Sequence, residues 1–213
     1  ALERATEIVL SPVADKMVYK AGQFAFIEIQ GKEWNEPHPF TISSHPGDDK
    51  LRFTLKVLGD WTRKVREELK AGGQIQVRGP YGRFDTRNGG KKQIWLAGGI
   101  GLTPFLSSIR DMQPDDDRQI HLVYAAREEG DAIYLDELKQ RAAELGNVTL
   151  VQLFSEDGNY ARVDMMKQKL PDSLNSYDYF MCGPKPMIEG IMKGLKAEGV
   201  KRNKIHTEAF EFR

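Results

Sequence analysis

Cysteine is almost missing from this chain of 213 residues, where Cys182 is the only one. That excludes an internal disulfide framework, a cysteine-ligated iron–sulfur cluster and a structural zinc site built from several cysteines. A reducing compartment is expected. Charge of one sign is missing too, since 31 lysines and arginines balance 31 aspartates and glutamates. The long-range field of a nucleic-acid binder is therefore absent, and no nucleic-acid partner is expected. Long apolar runs are lacking as well. The longest, such as residues 94–97 and 148–154, fall far short of the roughly 20 residues a membrane helix needs, so the chain itself is expected to be soluble, as a monomer. No apolar leader follows Ala1-Leu2-Glu3-Arg4. With no initiator methionine, the chain is expected to be an excised piece whose functional context lies upstream. His45, His121 and His206 are scattered without metal-ligand spacing, so no metal is expected.

What is present is enough to build a core, with 40% hydrophobic and 29% charged residues. The length allows one large domain or two of roughly 80 to 130 residues. Residues 5–11, 23–30, 40–44, 51–57 and 74–79 have strand-type patterns separated by glycine, proline or aspartate clusters. One helix over 60–69 interrupts them and stops at Ala71-Gly72-Gly73. This spacing predicts a small antiparallel β-barrel. After Asn88-Gly89-Gly90-Lys91-Lys92 the rhythm changes. Strands at 93–97, 119–126, 148–154, 179–182 and 205–210 alternate with helices opening at Thr103-Pro104 and covering 135–145, 163–170 and 186–198. That alternation predicts a Rossmann-like α/β unit, a parallel sheet with helices on both faces. The expected division is 1–90 and 91–213. Asp115-Asp116-Asp117 is expected to be a solvated loop.

The stretch Trp95-Leu96-Ala97-Gly98-Gly99-Ile100-Gly101-Leu102-Thr103-Pro104 carries the clearest local signal. Glycines after the first strand of a parallel sheet let the backbone approach a ligand, because no Cβ intervenes. Thr103 is expected to cap the following helix, and Pro104 suits its first turn. Exposed amides and the helix dipole make such a turn an anion site, fit for a pyrophosphate. The same glycines also serve plain strand–helix packing, and the pattern departs from Gly-x-Gly-x-x-Gly. Arg127 follows the second strand where an acidic residue would favour a free ribose. It is either a cation for a 2′-phosphate or a solvated surface charge.

Four further segments fall into order with this turn: His38-Pro39-Phe40-Thr41-Ile42-Ser43-Ser44, Gly79-Pro80-Tyr81-Gly82, Cys182-Gly183-Pro184 and Glu208-Ala209-Phe210. Over nearly the whole chain this resembles the ferredoxin–NADP reductase superfamily. Within it, the histidine form of the first motif resembles the dehydrogenase domain of NADPH oxidases and ferric reductases.

The resemblance implies FAD on the barrel, NADPH on the parallel unit with NADH as an alternative, and hydride transfer between them. Thr41 would hydrogen-bond near flavin N5, Cys182 would orient the nicotinamide, and Phe210 would stack on the flavin, with Phe212 as its competitor. His38, Pro39, Phe40 and Ser44 belong to the flavin motif. His38 replaces an arginine of the soluble reductases, so pyrophosphate neutralisation must come partly from elsewhere. Lys56, Arg63 and the Gly59-Asp60-Trp61-Thr62 stretch are the candidates, although Asp60 could equally be a helix cap. Gly79, Tyr81 and Gly82 would lie at the junction of flavin and domain interface. Gly98, Gly99, Gly101 and Thr103 would face the pyrophosphate, with Gly183 and Pro184 beside the nicotinamide. Tyr160 and Arg162 would contact the adenosine end. By resemblance the electron acceptor is haem in an upstream transmembrane domain, which passes electrons to oxygen, giving superoxide, or to ferric iron. The chain would then be the cytoplasmic domain of a membrane protein. The alternatives are a reductase for a soluble haemoglobin-like domain or oxygenase, and a nucleotide-binding regulatory module without turnover.

Overall fold

The computed structural model describes residues 5–209. Its first half contains strands β1 (Thr6–Leu10), β2 (Phe24–Ile29), β3 (His38–Thr41), β4 (Leu51–Leu55) and β5 (Ile75–Tyr81), with helix α1 (Asp60–Glu68) between the last two. All pairings there are antiparallel. β1 pairs with β4, and β3, β2 and β5 form a three-stranded sheet in that order. A single bridge between Ile42 and Phe53 links the two sheets. β2 alternates strictly, so Ala25, Ile27 and Ile29 point inward onto Ile42, Phe53 and Leu55, as the period of two requires. α1 closes this core with Trp61 and Val65, one turn apart on its buried face.

The second half is a five-stranded parallel sheet of β6 (Lys92–Gly98), β7 (Gln119–Ala126), β8 (Val148–Phe154), β9 (Asp178–Gly183) and β10 (Ile205–Ala209). The strand order is β10-β9-β6-β7-β8. Helices α2 (Thr103–Asp111) and α3 (Leu135–Leu145) cover one face, over Trp95, Leu122 and Phe180. Helices α4 (Val163–Lys169) and α5 (Lys185–Ala197) cover the other, over Ile94, Leu96 and Tyr179. Burial on both faces is why these strands have continuous apolar runs in the sequence. The chain leaves β6 toward β7 on one side and returns as β9 on the other. A crevice therefore opens at the carboxyl ends of β6 and β9, the point where such sheets bind ligands.

The two halves share side chains. Ala5 and Phe84 from the first half are buried in the cluster of Trp95 and Phe105. Phe84 meets Phe105 and Phe180 edge-on, at centroid distances of 5.5 and 5.7 Å.

Three expectations need correction. Thr103 does not cap α2. A 3-10 turn over Gly99–Leu102 runs directly into the helix, so Leu102 is the N-cap and the Thr103 hydroxyl donates back to the Ile100 carbonyl at 3.1 Å. Asp60 does not cap α1 either. Gly59 is the N-cap, and Asp60 lies in the first turn, where its charge complements the helix dipole. Asp115–117 is not simply a solvated loop, because Arg118 Nε donates to Asp116 at 2.9 Å and Lys91 pairs with Asp117.

A Cβ added at Gly101 would meet the Cys182 carbonyl oxygen at 2.4 Å and Gly183 Cα at 2.7 Å, whereas one added at Gly190 in α5 would meet nothing within 4 Å. Gly101→Ala is expected to destabilise the chain by about 1–3 kcal/mol. Gly190→Ala is expected to stabilise it by about 0.5–1 kcal/mol. Thermal melts should show Tm moving in opposite directions, and equal Tm values for the two variants would contradict the packing described.

Candidate functional site

In the first half the motif residues gather around one indole. The His38 ring lies 4.3 Å from Trp61, and Phe40 stacks on it at 5.6 Å and 24°. Trp61 is buried, its Nε1 donates to the Trp34 carbonyl at 3.1 Å, and the Trp34 ring meets it edge-on. Trp61 therefore backs His38 and Phe40 rather than offering a free surface. His38 Nε2 is buried without a hydrogen-bond partner, and the nearest carboxylate, that of Glu36, is 3.8 Å away. An orphaned ring nitrogen of this kind suits a cofactor oxygen. Pro39 is exposed beside it, and Thr41 is buried opposite Phe24.

Other flavin-motif candidates are committed within the protein. The Ser44 hydroxyl accepts from the Arg52 amide at 3.0 Å and lies 2.8 Å from the Tyr19 hydroxyl. The Thr62 hydroxyl accepts from the Leu58 and Gly59 amides and donates to the Gly59 carbonyl at 3.0 Å. That leaves the first-turn amides of α1, which lack intrahelical acceptors, as the anion-facing groups there. Arg63 is exposed and faces Asp60 at 3.9 Å. Lys56 lies apart from this helix, in a small cavity with Ile100, Asp131 and Ile133, on the nucleotide side of the junction. At the end of β5, exposed Tyr81 packs on Phe24 and Phe26 at 5.8 and 5.7 Å. Gly79 passes so close to Ala25 that a Cβ would sit 2.9 Å from its methyl. Gly82 adopts φ +93° and its carbonyl accepts from Gln23 Nε2.

In the second half three glycines meet at the carboxyl edge. A Cβ on Gly98 would strike Met187 Cε and Pro184 Cδ at 2.6 and 2.7 Å, one on Gly101 would strike the Cys182 carbonyl, and one on Gly183 would reach Gly98 Cα at 3.0 Å. Gly101 and Gly183 allow backbone-to-backbone contact, and Gly98 makes room for Met187 and Pro184. Gly99 differs, having φ +52° and open space around its Cβ position, so it is the glycine that leaves room for a ligand. Exposed Pro184 is the N-cap of α5. Cys182 is fully buried, and burial pushes its thiol well up, with the Glu208 charge adding to the effect. Glu208 lies opposite Cys182 across the β9–β10 pair, and burial raises its carboxyl as well. A thiol held protonated orients a neighbour and supplies no nucleophile.

Arg127 follows β7 as expected, but its Nε donates to Glu156 at 2.8 Å in an exposed pair. Arg162 caps α4 by position and pairs with Asp164 at 3.1 Å, next to exposed Tyr160. Phe210 and Phe212 lie outside the described residues. No group of three or more metal-ligating side chains occurs among the described residues.

Sequence reasoning missed the contacts that join the halves. Ser107 Oγ donates to the Ser44 carbonyl at 2.6 Å, and Arg110 Nη1 donates to the Ser43 carbonyl at 2.7 Å. His45 lies at the same junction, with Asp48 at 3.1 Å and Asp111 at 3.7 Å. No local pattern signals partners more than sixty residues apart. A cleft of about 530 Å³ lies at the opposite edge of the sheet, beside Asp85, Arg87, Lys91 and Arg118. Its charges already pair, Arg87 with Asp85 and Lys91 with Asp117, and it is remote from the carboxyl edge.

An antiparallel flavin-type unit and a parallel nucleotide-type unit, joined with their motifs at one edge, define a two-domain flavin reductase fold. Residues 6–85 match the FAD-binding domain family and residues 95–193 the oxidoreductase NAD-binding domain family. The chain thus carries ferredoxin–NADP reductase-like domains, one of the FAD-binding and one of the NAD-binding type. It is 28% identical over 208 residues to the reductase component of propane 2-monooxygenase from Rhodococcus jostii, covering 90% of this chain and 55% of that protein. It is also 28% identical over 212 residues to a flavohemoprotein from Bordetella pertussis, covering 90% and 53%. A ferredoxin NADP+ reductase from Neisseria gonorrhoeae with bound FAD and NADP superposes with a TM-score of 0.80 at 16% identity, covering 97% and 92%, and so shares the fold. The chain spans little more than half the length of these two relatives. None of them supports a haem-bearing membrane domain as partner. No helix among the described residues is long and apolar enough to cross a membrane.

Glu208 generates a pH dependence with a definite sign. Its folded-state carboxyl titrates above the ordinary 4.5. The burial penalty is therefore absent at low pH, where the group is protonated folded or unfolded, and grows as pH rises through that value. Glu208→Gln is expected to gain Tm over the cofactor-free parent as pH rises from about 4 to about 8. A gap that stays constant or shrinks would contradict a raised carboxyl.

Proposed function

We propose that this chain is the reductase unit of a nicotinamide-driven electron-transfer system whose acceptor is an oxygenase component or a globin-type haem domain. Its two functional units divide near residue 90. A bound flavin would supply hydride acceptance from the nicotinamide and release of the electrons one at a time. The chain's own residues bind, orient and exclude water. His38, Phe40 and the first-turn amides of α1 would hold the flavin and its pyrophosphate, and the Thr41 hydroxyl would face its reacting edge. Gly99 and the start of α2 would receive the nucleotide pyrophosphate. Cys182, with Gly183 and Pro184, would orient the nicotinamide, and Phe210 or Phe212 would cover the flavin. Arg127 would leave Glu156 to meet a 2′-phosphate, an exchange made easy because an exposed ion pair contributes little.

The observation that carries this reading is the carboxyl edge of β6 and β9, where three glycines clear the backbone beside a buried, protonated thiol. The similarity to an oxygenase reductase component and to a flavohemoprotein supports an oxygenase or globin acceptor over the membrane haem domain, which rests on the histidine form of one motif.

FAD-loaded chain is expected to reduce ferricyanide with NADPH at least as well as with NADH. Arg127→Ala is expected to raise KM for NADPH roughly tenfold, the loss of one charge-assisted hydrogen bond, and to leave NADH nearly unchanged. Equal losses for both nucleotides would remove Arg127 from 2′-phosphate recognition.

A further inference from the structure

We propose that Arg110 and Tyr134 form a latch between the two halves that sets how the nucleotide edge meets the flavin motif. They act as positioning residues for the hydride step, and this role rests on the function proposed above.

Arg110 lies on the last turn of α2, mostly buried, with its guanidinium clamped by Glu137 at 2.5 and 2.7 Å. Nη1 donates to the Ser43 carbonyl at 2.7 Å. The fork therefore joins α2 and α3 to the segment that continues from Thr41. One turn earlier on α2, Ser107 ties the Ser44 carbonyl. The guanidinium also lies 5.1 Å above the Tyr134 ring. The Tyr134 hydroxyl donates to Glu7 Oε1 in β1 at 2.8 Å and lies 3.0 Å from Thr54 Oγ1 in β4. Thr54 in turn donates to Ser43 Oγ at 3.0 Å, and Arg52 holds Glu7 at 3.0 Å.

Tyr134 has the single positive φ of any non-glycine residue described, +58°, immediately before α3. A tyrosine adopts the left-handed region only when its surroundings over-determine it, and here a cation lies over the ring, Glu7 in β1 accepts from the hydroxyl and Thr54 in β4 packs against it. Burial pushes that hydroxyl up to about 12, so it keeps its proton at working pH.

The geometry explains why such a latch would matter. α2 starts at the glycine turn and ends at the hooks on Ser43 and Ser44. From Thr103 to Arg110 it is a stiff rod of about 10 Å, at 1.5 Å per residue. One end carries the nucleotide cradle and the other grips the strand continuing from the flavin motif. A small displacement along this rod becomes a change in donor–acceptor distance, and hydride transfer is steep in that distance.

Tyr134→Phe and the milder Ser107→Ala, alone and combined, test the proposal by two readouts. Calorimetry of the cofactor-free chain is expected to show one unfolding transition in the parent and two in the double variant. Anaerobic rapid mixing of FAD-loaded protein is expected to show flavin reduction slowed about tenfold at saturating nucleotide, with nucleotide Kd changed less than about threefold. Restoring Tyr134 in the double variant should recover most of the rate. A single transition in the double variant, or a rate loss matched by an equal loss of affinity, would overturn the latch. If the parent's flavin were not reduced at all, the functional reading would fail, and calorimetry would still decide whether the halves are latched.

Discussion

Where β6 and β9 end side by side, Gly101 and Gly183 press on neighbouring backbone and Gly98 on Met187 and Pro184, with no room for a Cβ at any of the three. That contact has three consequences. It lets the turn after β6 tighten into a 3-10 segment that continues into α2 without a break. It leaves Gly99 as the open edge of the crevice. It also fixes the direction of α2, whose far end reaches Ser43 and Ser44 in the other half. The glycine turn, α2 and the strand that continues from Thr41 are thus one mechanical series, and a side chain at the first contact would disturb all of it.

Electrostatics at the same edge favours neutrality. Cys182 and Glu208 face each other across paired strands, and burial disfavours the charged form of both. Cations are kept outside, at Arg127 and Arg162, where Glu156 and Asp164 pair with them. The first half follows the same logic. His38 is stacked on Trp61 with an unpaired nitrogen, and positive potential for a phosphate comes from the helix start rather than from a fixed cation.

The parallel half was legible in unusual detail. The expected spans 119–126, 135–145 and 148–154 coincide with β7, α3 and β8, because strands buried on both faces leave apolar runs and a terminal Gly146 ends the helix by adopting φ +70°. The antiparallel half was legible as strands, with ends shifted by a few residues. β3, for instance, covers His38–Thr41 rather than 40–44, because hydrogen bonding to β2 continues through the proline-containing motif. The candidate site was legible as motifs but not as geometry. No periodicity reports that Trp61 buries itself behind His38, or that Lys56 faces Ile100. The Tyr134–Glu7 contact joins residues 127 positions apart, and only the closed fold brings them together.

The central claim is that this chain brings a nicotinamide and a flavin into reacting contact through its own two units. The most direct measurement is anaerobic addition of NADPH, and separately NADH, to the FAD-loaded chain while the visible flavin band is followed. The account expects the band to bleach within seconds, with a primary isotope effect when the transferred hydrogen at nicotinamide C4 is deuterium. Bound FAD that keeps its band in the presence of both nucleotides would contradict it.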